Sequence, residues 1–266
     1  MLRSLIAMSF AAACGNGHQA TIDAPRADAP VDTPIDAMTD AMTPYAGIVT
    51  LVQGLDPNGM HSGAYATFVT GSAFGNPLGS NGPCGAFASP PNTGLSAGHI
   101  AITGTTSAFS LEPTGTSPNV AYNPNPMTPN PLFAAGATIA ITAVGSPDVP
   151  TFSTTLVAPT TLVGFTPPTT ISRAAGYTAT WTAGSGPSVS IEISASTGAN
   201  KPDVLICRVP DTGSYTVAPA AFALLPGTDN AALVFVSRTA DSILAQPNVL
   251  VMVSSQILGA GVALTP

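Results

Sequence analysis

The chain is short of charge. Of its 266 residues only 6 are Lys or Arg and 13 are Asp or Glu, a share of 7% against a usual share of roughly 25%. With a net charge of -7 there is no basic patch to neutralise phosphates, which excludes nucleic acid as a partner and a polybasic attachment to a membrane surface. Aromatics are also scarce, at 6% with a single Trp, and there are only three Cys. No apolar run reaches the roughly 20 residues of a membrane-spanning helix. No stretch holds a helical period for three turns, which excludes a helical bundle, and no fixed repeat length marks a solenoid or propeller. The missing charge is replaced by Gly (26), Pro (27) and small polar residues, while the apolar share stays at 45%. Such a composition favours strands and turns over helices.

Residues 1–14 carry one positive charge, at Arg3, followed by an apolar run closed by small residues. That is the pattern of a secretory signal. Ala11, Ala12 and Ala13 directly before Cys14 resemble a bacterial lipobox, where the Cys receives a diacylglyceryl group and becomes the mature N-terminus. The resemblance implies lipidation at Cys14 and a partner in the membrane itself. Gly15 after the Cys is compatible with sorting to the outer membrane, on its periplasmic side or at the cell surface. An ordinary signal peptide with a chance Cys is the alternative. Several acyl chains on one Cys hold stably where one chain would not.

From 15 to 44 the chain becomes an Asp/Ala/Pro series, with Asp23, Asp28, Asp32, Asp36 and Asp40 interrupted by Pro25, Pro30 and Pro34. The near-regular spacing would stack carboxylates on one helical face, and the prolines forbid that helix. Extended, disordered linker is the reading, able to reach roughly 90 Å when stretched. A calcium loop is not supported there, since the Gly turn and terminal Glu of such a loop are missing. The linker behind a lipidated Cys resembles those of bacterial surface lipoproteins.

After Pro44 short alternating apolar runs recur between turn residues, the pattern of an all-β sandwich or barrel. The runs are Gly47–Gln53, Ala64–Thr70, His99–Thr103, Ala108–Glu112, Thr138–Val144 and Phe152–Val157. A second series is Tyr177–Thr182, Ser188–Ser194, Val204–Val209, Ser214–Val217, Ala231–Arg238, Val249–Ser254 and Ile257–Leu264. One helical turn is expected at Ala220–Leu225. The Thr-Pro-Pro-Thr stretch near 166 suggests a boundary between two antiparallel β-sandwich domains, 45–166 and 167–266. Pro113–Pro131 is too rich in proline for a central strand and is expected to run over the surface as an extended loop. In Ser188–Ser194 three β-branched residues share one face and the polar residues the other, as in a half-buried strand. Trp181 alternates with its neighbours as a core residue does.

The succession Tyr177–Trp181, Val189–Ile193, Asp211–Tyr215 and Pro219–Pro226 resembles the Ser/Thr-rich secreted domains related to the yeast cell-wall glucan proteins. That resemblance implies an immunoglobulin or fibronectin-III type sandwich for the second domain and a cell-envelope setting. It carries no catalytic residue with it.

The residues that could do chemistry are few. Cys84 and Cys207 permit one disulfide in an exported protein, closing a loop of about 120 residues. Cys84, however, sits in a Gly-Pro-Cys-Gly turn while Cys207 lies on the core face of a strand with Leu205 and Val209. The reading therefore favours two unpaired thiols and keeps the bridge as the alternative. A thiol nucleophile would need a His, and only His61 and His99 follow the linker; His99 should face solvent. Gly184-Ser185-Gly186 lacks the strand-to-helix context of a hydrolase elbow. Asp56, Glu112, Asp148, Glu192, Asp203, Asp211, Asp229 and Asp241 are scattered, most of them in turns. Metal-ligand spacing is absent and no cofactor is implied. The expectation is a non-enzymatic envelope protein that displays β-sandwich domains for adhesion, envelope structure or binding of another envelope protein. A glycan-binding module using Tyr45, Tyr65, Tyr122 or Tyr215 is the alternative, and a hydrolase with a site between the domains the less favoured one.

Overall fold

The computed structural model describes residues 45–56, 59–71, 77–88, 94–196, 203–245, 248–258 and 261–266. Cys14 and the linker aspartates lie outside the described residues. The protein is all-β, and the single turn of helix expected at Ala220–Leu225 is α1 (Pro219–Phe222). Among the described residues seventeen strands follow one another. The first nine are β1 (Tyr45–Asp56), β2 (Gly59–Thr70), β3 (Pro77–Asn81), β4 (Cys84–Phe87), β5 (Ile100–Thr103), β6 (Phe109–Thr114), β7 (Ala121–Asn125), β8 (Thr138–Ala143) and β9 (Phe152–Val157). The rest are β10 (Thr170–Ser172), β11 (Tyr177–Thr180), β12 (Ser188–Ser196), β13 (Asp203–Val209), β14 (Ser214–Val217), β15 (Ala231–Leu244), β16 (Val249–Leu258) and β17 (Val262–Thr265).

The strands form a large sheet in the order β2-β1-β16-β15-β12-β13-β4-β3, extended by β17 and β10, together with a five-stranded sheet β7-β6-β5-β8-β9 and the ribbon β11-β14. The large sheet joins strands from 45–87 with strands from 188–265, so the expected division at 166/167 does not describe the sheets. β1 runs parallel to β16, pairing Gly47 with Val249 through Leu55 with Ile257, and β4 pairs with β13. The parallel pairs β1–β16 and β10–β17 also depart from the purely antiparallel expectation. The chain passes from one core to the other between Ala158 and Leu162, so the Thr-Pro-Pro-Thr stretch near 166 follows that crossing.

One face of the large sheet supports two cores. Val49, Leu51, Ala64, Phe68, Val249, Val251 and Val253 pack against the inner face of the five-stranded sheet, notably Ile100, Ile102, Leu111, Ile139 and Ile141. Further along, Val189, Ile191, Ile193, Leu205, Val234 and Val236 pack under Trp181, Phe222, Leu162, Ile171 and Leu264. Both are layered β-sheet packings in which alternate residues turn inward. The opposite face carries a smaller cluster of Ile48, Val69, Val204, Ile206, Leu250 and Met252.

Three local expectations change in this setting. β12 is a central strand, flanked by β15 and β13. Its polar face is therefore buried along with its apolar one, with Ser188, Ser190 and Glu192 all under 9% exposed. Within Pro113–Pro131, residues Ala121–Asn125 form β7, with Pro124 opposite Leu111. β7 is an edge strand, the one place in a sheet where a missing amide is tolerated. The run expected as Ile257–Leu264 is divided between the end of β16 and β17.

Cys84 and Cys207 form a disulfide, across a sequence separation of 123. Cys207 is on the core face, as the alternation indicates. Cys84 is not a surface turn residue: it opens β4, directly opposite Cys207, and is 1% exposed. A short sequence run with turn residues around it reads as a loop until a distant strand pairs with it. In the chain-entropy model a closed loop of this length contributes about 4–5 kcal/mol. Alkylation without reduction is expected to label neither Cys84 nor Cys207, and the Cys84→Ala/Cys207→Ala variant to lose about 4 kcal/mol in denaturant unfolding; two reactive thiols in the oxidised protein would contradict the bridge.

Candidate functional site

The boundary between the two cores is polar. On the covered face of the sheet, Ser62, Gln53, Ser255 and Arg238 stand in register on β2, β1, β16 and β15. Each reaches up to the chain that covers it. Ser62 Oγ donates to Asn130 Oδ1 (3.2 Å). Gln53 Oε1 accepts from the amides of Leu132 (2.7 Å) and Phe133 (3.0 Å). Ser255 Oγ accepts from the Leu162 amide (3.0 Å). Arg238, in phase with Val234 and Val236, is 2% exposed.

Arg238 Nε donates to Asp211 Oδ2 (2.6 Å). Its Nη1 serves the carbonyl of Thr161 (2.8 Å) and Thr160 Oγ1 (3.1 Å), and its Nη2 the carbonyl of Thr182 (2.9 Å). Asp211 in turn accepts from Trp181 Nε1 at 2.7 Å. Burial alone would raise the Asp211 carboxyl, but the hydrogen bonds from Arg238 and Trp181 and the guanidinium charge outweigh it, so its pKa lies below the ordinary carboxylate value. The Gly184-Ser185-Gly186 loop belongs to this centre for a steric reason. A Cβ on Gly184 would sit 2.4 Å from Arg238 Nη2, and one on Gly186 2.6 Å from its Cγ. The two glycines let backbone lie against the guanidinium.

This centre ties the covering segments to the sheet. The ion pair is saturated by hydrogen bonds, which is the condition under which a buried pair is tolerated. Its sequence signal was present: Arg238 is the only charge between Ala232 and Ala240 in a run that otherwise alternates apolar residues inward. A charge at a core position needs a buried partner, though nothing in the sequence nominates Asp211 as that partner.

The other residues singled out from the sequence are dispersed. His99 is exposed, and its Nδ1 lies 2.8 Å from Glu112 Oε1. Ser110 Oγ donates to the same oxygen at 2.6 Å, which, with His99, holds Glu112 below its ordinary pKa. The hydroxyl and the imidazole thus meet the carboxylate and not each other, so the trio lacks the nucleophile-to-base contact of a triad. Asp148 accepts from the Ser96 amide (3.0 Å) and from Ser117 Oγ, tying two loops. Arg208 pairs with Asp241. Cys84, bridged and buried, is no nucleophile.

The tyrosines are also built in. Tyr122 lies edge-on to Phe68, with ring centroids 5.7 Å apart. Its hydroxyl accepts from the Ala97 amide (2.6 Å) and donates to the Gly98 carbonyl (3.1 Å). Tyr215 packs against the core beside Trp181, and Tyr65 is half-buried, which raises its pKa. The side chain of Tyr45 lies outside those described. Among the described side chains no aromatic ring is exposed, so the flat platform on which a sugar stacks is not offered by Tyr65, Tyr122 or Tyr215. Among the described residues no group of three or more His, Cys, Asp or Glu is arranged to hold a metal. Burial raises the carboxyls of Asp203 and Asp229; the charge of Asp229 adds to the rise at Asp203, and the Arg173 guanidinium opposes it at Asp229.

No protein-family model matches the chain, and no curated protein matches it.

Removing one partner of the Arg238–Asp211 pair leaves a buried charge. Arg238→Met and Asp211→Asn are each expected to lose about 3–5 kcal/mol in denaturant unfolding. Gly184→Ala should lose roughly 1–3 kcal/mol through overpacking. Because the folded-state pKa of Asp211 is depressed, its contribution is present above the ordinary carboxylate range and lost as pH falls through the lowered value. A Tm measured from pH 7 downward should therefore fall less steeply below pH ~4 in Asp211→Asn than in the parent.

Proposed function

We propose that the chain is a non-enzymatic, exported envelope protein, lipid-anchored through Cys14, that displays its β-sheet unit on the Asp/Ala/Pro linker for adhesion, envelope structure or binding of another envelope protein. The observation that carries this reading is how the few ionisable groups are used. Arg238 and Asp211 hold the junction of the two cores, Arg208 and Asp241 pair across the sheet, and Arg173 donates to the carbonyls of Leu225 and Asp229. Asp148 ties two loops. These groups serve the fold, and a surface made of Ser, Thr, Asn and Gly suits persistent display more than acid–base chemistry. The buried disulfide suits an oxidising compartment. The N-terminal pattern supports export, and its small residues before Cys14 support acylation.

The reading is tested by fractionation. The parent chain should partition with outer membranes and be extracted by detergent, while Cys14→Ser should appear in the soluble fraction. Membrane retention of Cys14→Ser, or a parent chain found in the cytosol with free thiols, would remove the basis for the proposal.

A further inference from the structure

The five-stranded sheet ends in two unlike edges. On one side β7 carries Pro124, and the outer strands of the large sheet are also closed to a further strand. β3 begins at Pro77 and is irregular before Gly79, while β2 gives its Met60 carbonyl to Asn130 Nδ2 (3.1 Å) and its Phe68 carbonyl to the Leu95 amide (2.6 Å). Proline, bulges and covering chain are the devices by which proteins blunt an edge. β9 has none of them within its length. Residues Phe152–Val157 contain no proline and no charge, and they pair with β8 without a shift in register.

The direction of the β9 peptide groups follows from the bonds beside it. Ala158 donates its amide to the Ala137 carbonyl (2.8 Å) and accepts from the Gly136 amide (2.9 Å), so the even-numbered residues bond toward β8 and the odd ones alternate outward. Ser153, Thr155 and Val157 thus turn their N–H and C=O groups to the open edge, and all three are exposed. Phe152 and Leu156 point into the core. The layer beneath stops on the same side. β12 leaves β15 at the Ser188–Thr239 pair, whereas β15 continues against β16 to Leu244, with the Ser242 hydroxyl 3.3 Å from that of Thr154. Among the described residues, both layers therefore end here together, and Val157 above and Ile243 below are each more than half exposed.

We propose that β9 is the pairing edge for a second copy of this chain, antiparallel about a two-fold axis at Thr155, so that the two five-stranded sheets run on as one. The occupant is a second copy because the edge is complementary to itself, as an isologous contact requires. With the axis at Thr155, Ser153 meets Val157 of the second copy, Thr155 meets its own equivalent, and every outward peptide group of β9 finds a partner. An axis at Thr154 would leave Val157 without one. The side chains brought opposite one another are small or β-branched and uncharged, which suits cross-strand pairing, and Thr138, Ala140 and Thr142 on β8 behind them add no charge. The pairing uses only the folded unit and does not rest on the lipid anchor, although confinement to a membrane would raise its effective concentration.

The test is cross-linking of the full chain carrying Thr155→Cys under mild oxidation, with the parent as the blank for Cys14. A hydrogen-bonded pair across the axis sets Cα atoms about 5.5 Å apart, within the disulfide range of about 4.4–6.8 Å. Most of the Thr155→Cys chain should therefore run as a reducible dimer. Thr138→Cys is exposed on the same face but lies three strand spacings, roughly 14 Å, from its equivalent, and should stay at the parent's level. In sedimentation equilibrium of the full chain in density-matched detergent, the parent should approach twice the mass of one chain as concentration rises, while Thr155→Pro and Thr155→Lys remain at one. Both variants should keep the parent Tm, because the Thr155 amide is not used by β8 and its side chain is exposed; the lysine variant decides if the proline one fails to fold. No excess of cross-link at Thr155→Cys over Thr138→Cys, or a dimer that Thr155→Lys leaves intact, would overturn the proposal.

Discussion

A guanidinium buried between two hydrophobic cores sets the terms for everything packed above it. Arg238 occupies a position that Val234 and Val236 would predict to be apolar, and a charge there requires every donor to be met. Meeting them draws in Asp211 from the turn before β14, the backbone at 160–161 and the backbone at 182, three stretches with little else in common. Ser255, Gln53 and Ser62 continue the row across the sheet and hold residues 162, 132–133 and 130 in the same manner. The row separates the cores and aligns both covering layers over one sheet. An apolar side chain would fill the same space and leave their relative placement to packing alone. Hydrogen bonds with fixed partners specify it, which is the role best attested for buried polar groups.

The sheet beneath is closed by contacts between distant parts of the chain. β1 docks parallel to β16, and the short hairpin β3–β4 extends the other edge through the Cys84–Cys207 bridge. Residues 45–87 therefore contribute both edges of a sheet whose middle comes from 188–258. The cost in loop closure grows only slowly with length, and a covalent tie offsets part of it.

The all-β class, thirteen of the described strands in whole or in part, the helical turn, and the core placement of Trp181 and Cys207 were legible from local pattern alone. The misreadings share a cause. β4 and β7 are short and contain or adjoin Gly and Pro, so each reads as a loop when considered alone, and each becomes a strand because a neighbour offers a free edge. β12 reads as half-buried from its Ser and Glu residues, yet its central position buries both faces. The Thr-Pro-Pro-Thr segment reads as a linker between domains, whereas the two cores before and after it are built on one shared sheet. In the polar centre neither partner was singled out: Arg238 only closed the expected strand Ala231–Arg238, and Asp211 was one of several scattered acids.

Composition and period by themselves determined that this chain is β-structured, charge-poor and acidic, and which residues of each strand turn inward. Those properties are local: they depend on each residue's neighbours within a few positions and on the period-two geometry of a strand. Only the tertiary structure decided which strands are central, that Cys84 meets Cys207, that strands from 45–87 and from 188–265 share one sheet, and that Asp211 answers Arg238. These depend on contacts between residues tens to hundreds of positions apart, where the free energy comes from burial and partner satisfaction, and no local pattern encodes the identity of the partner.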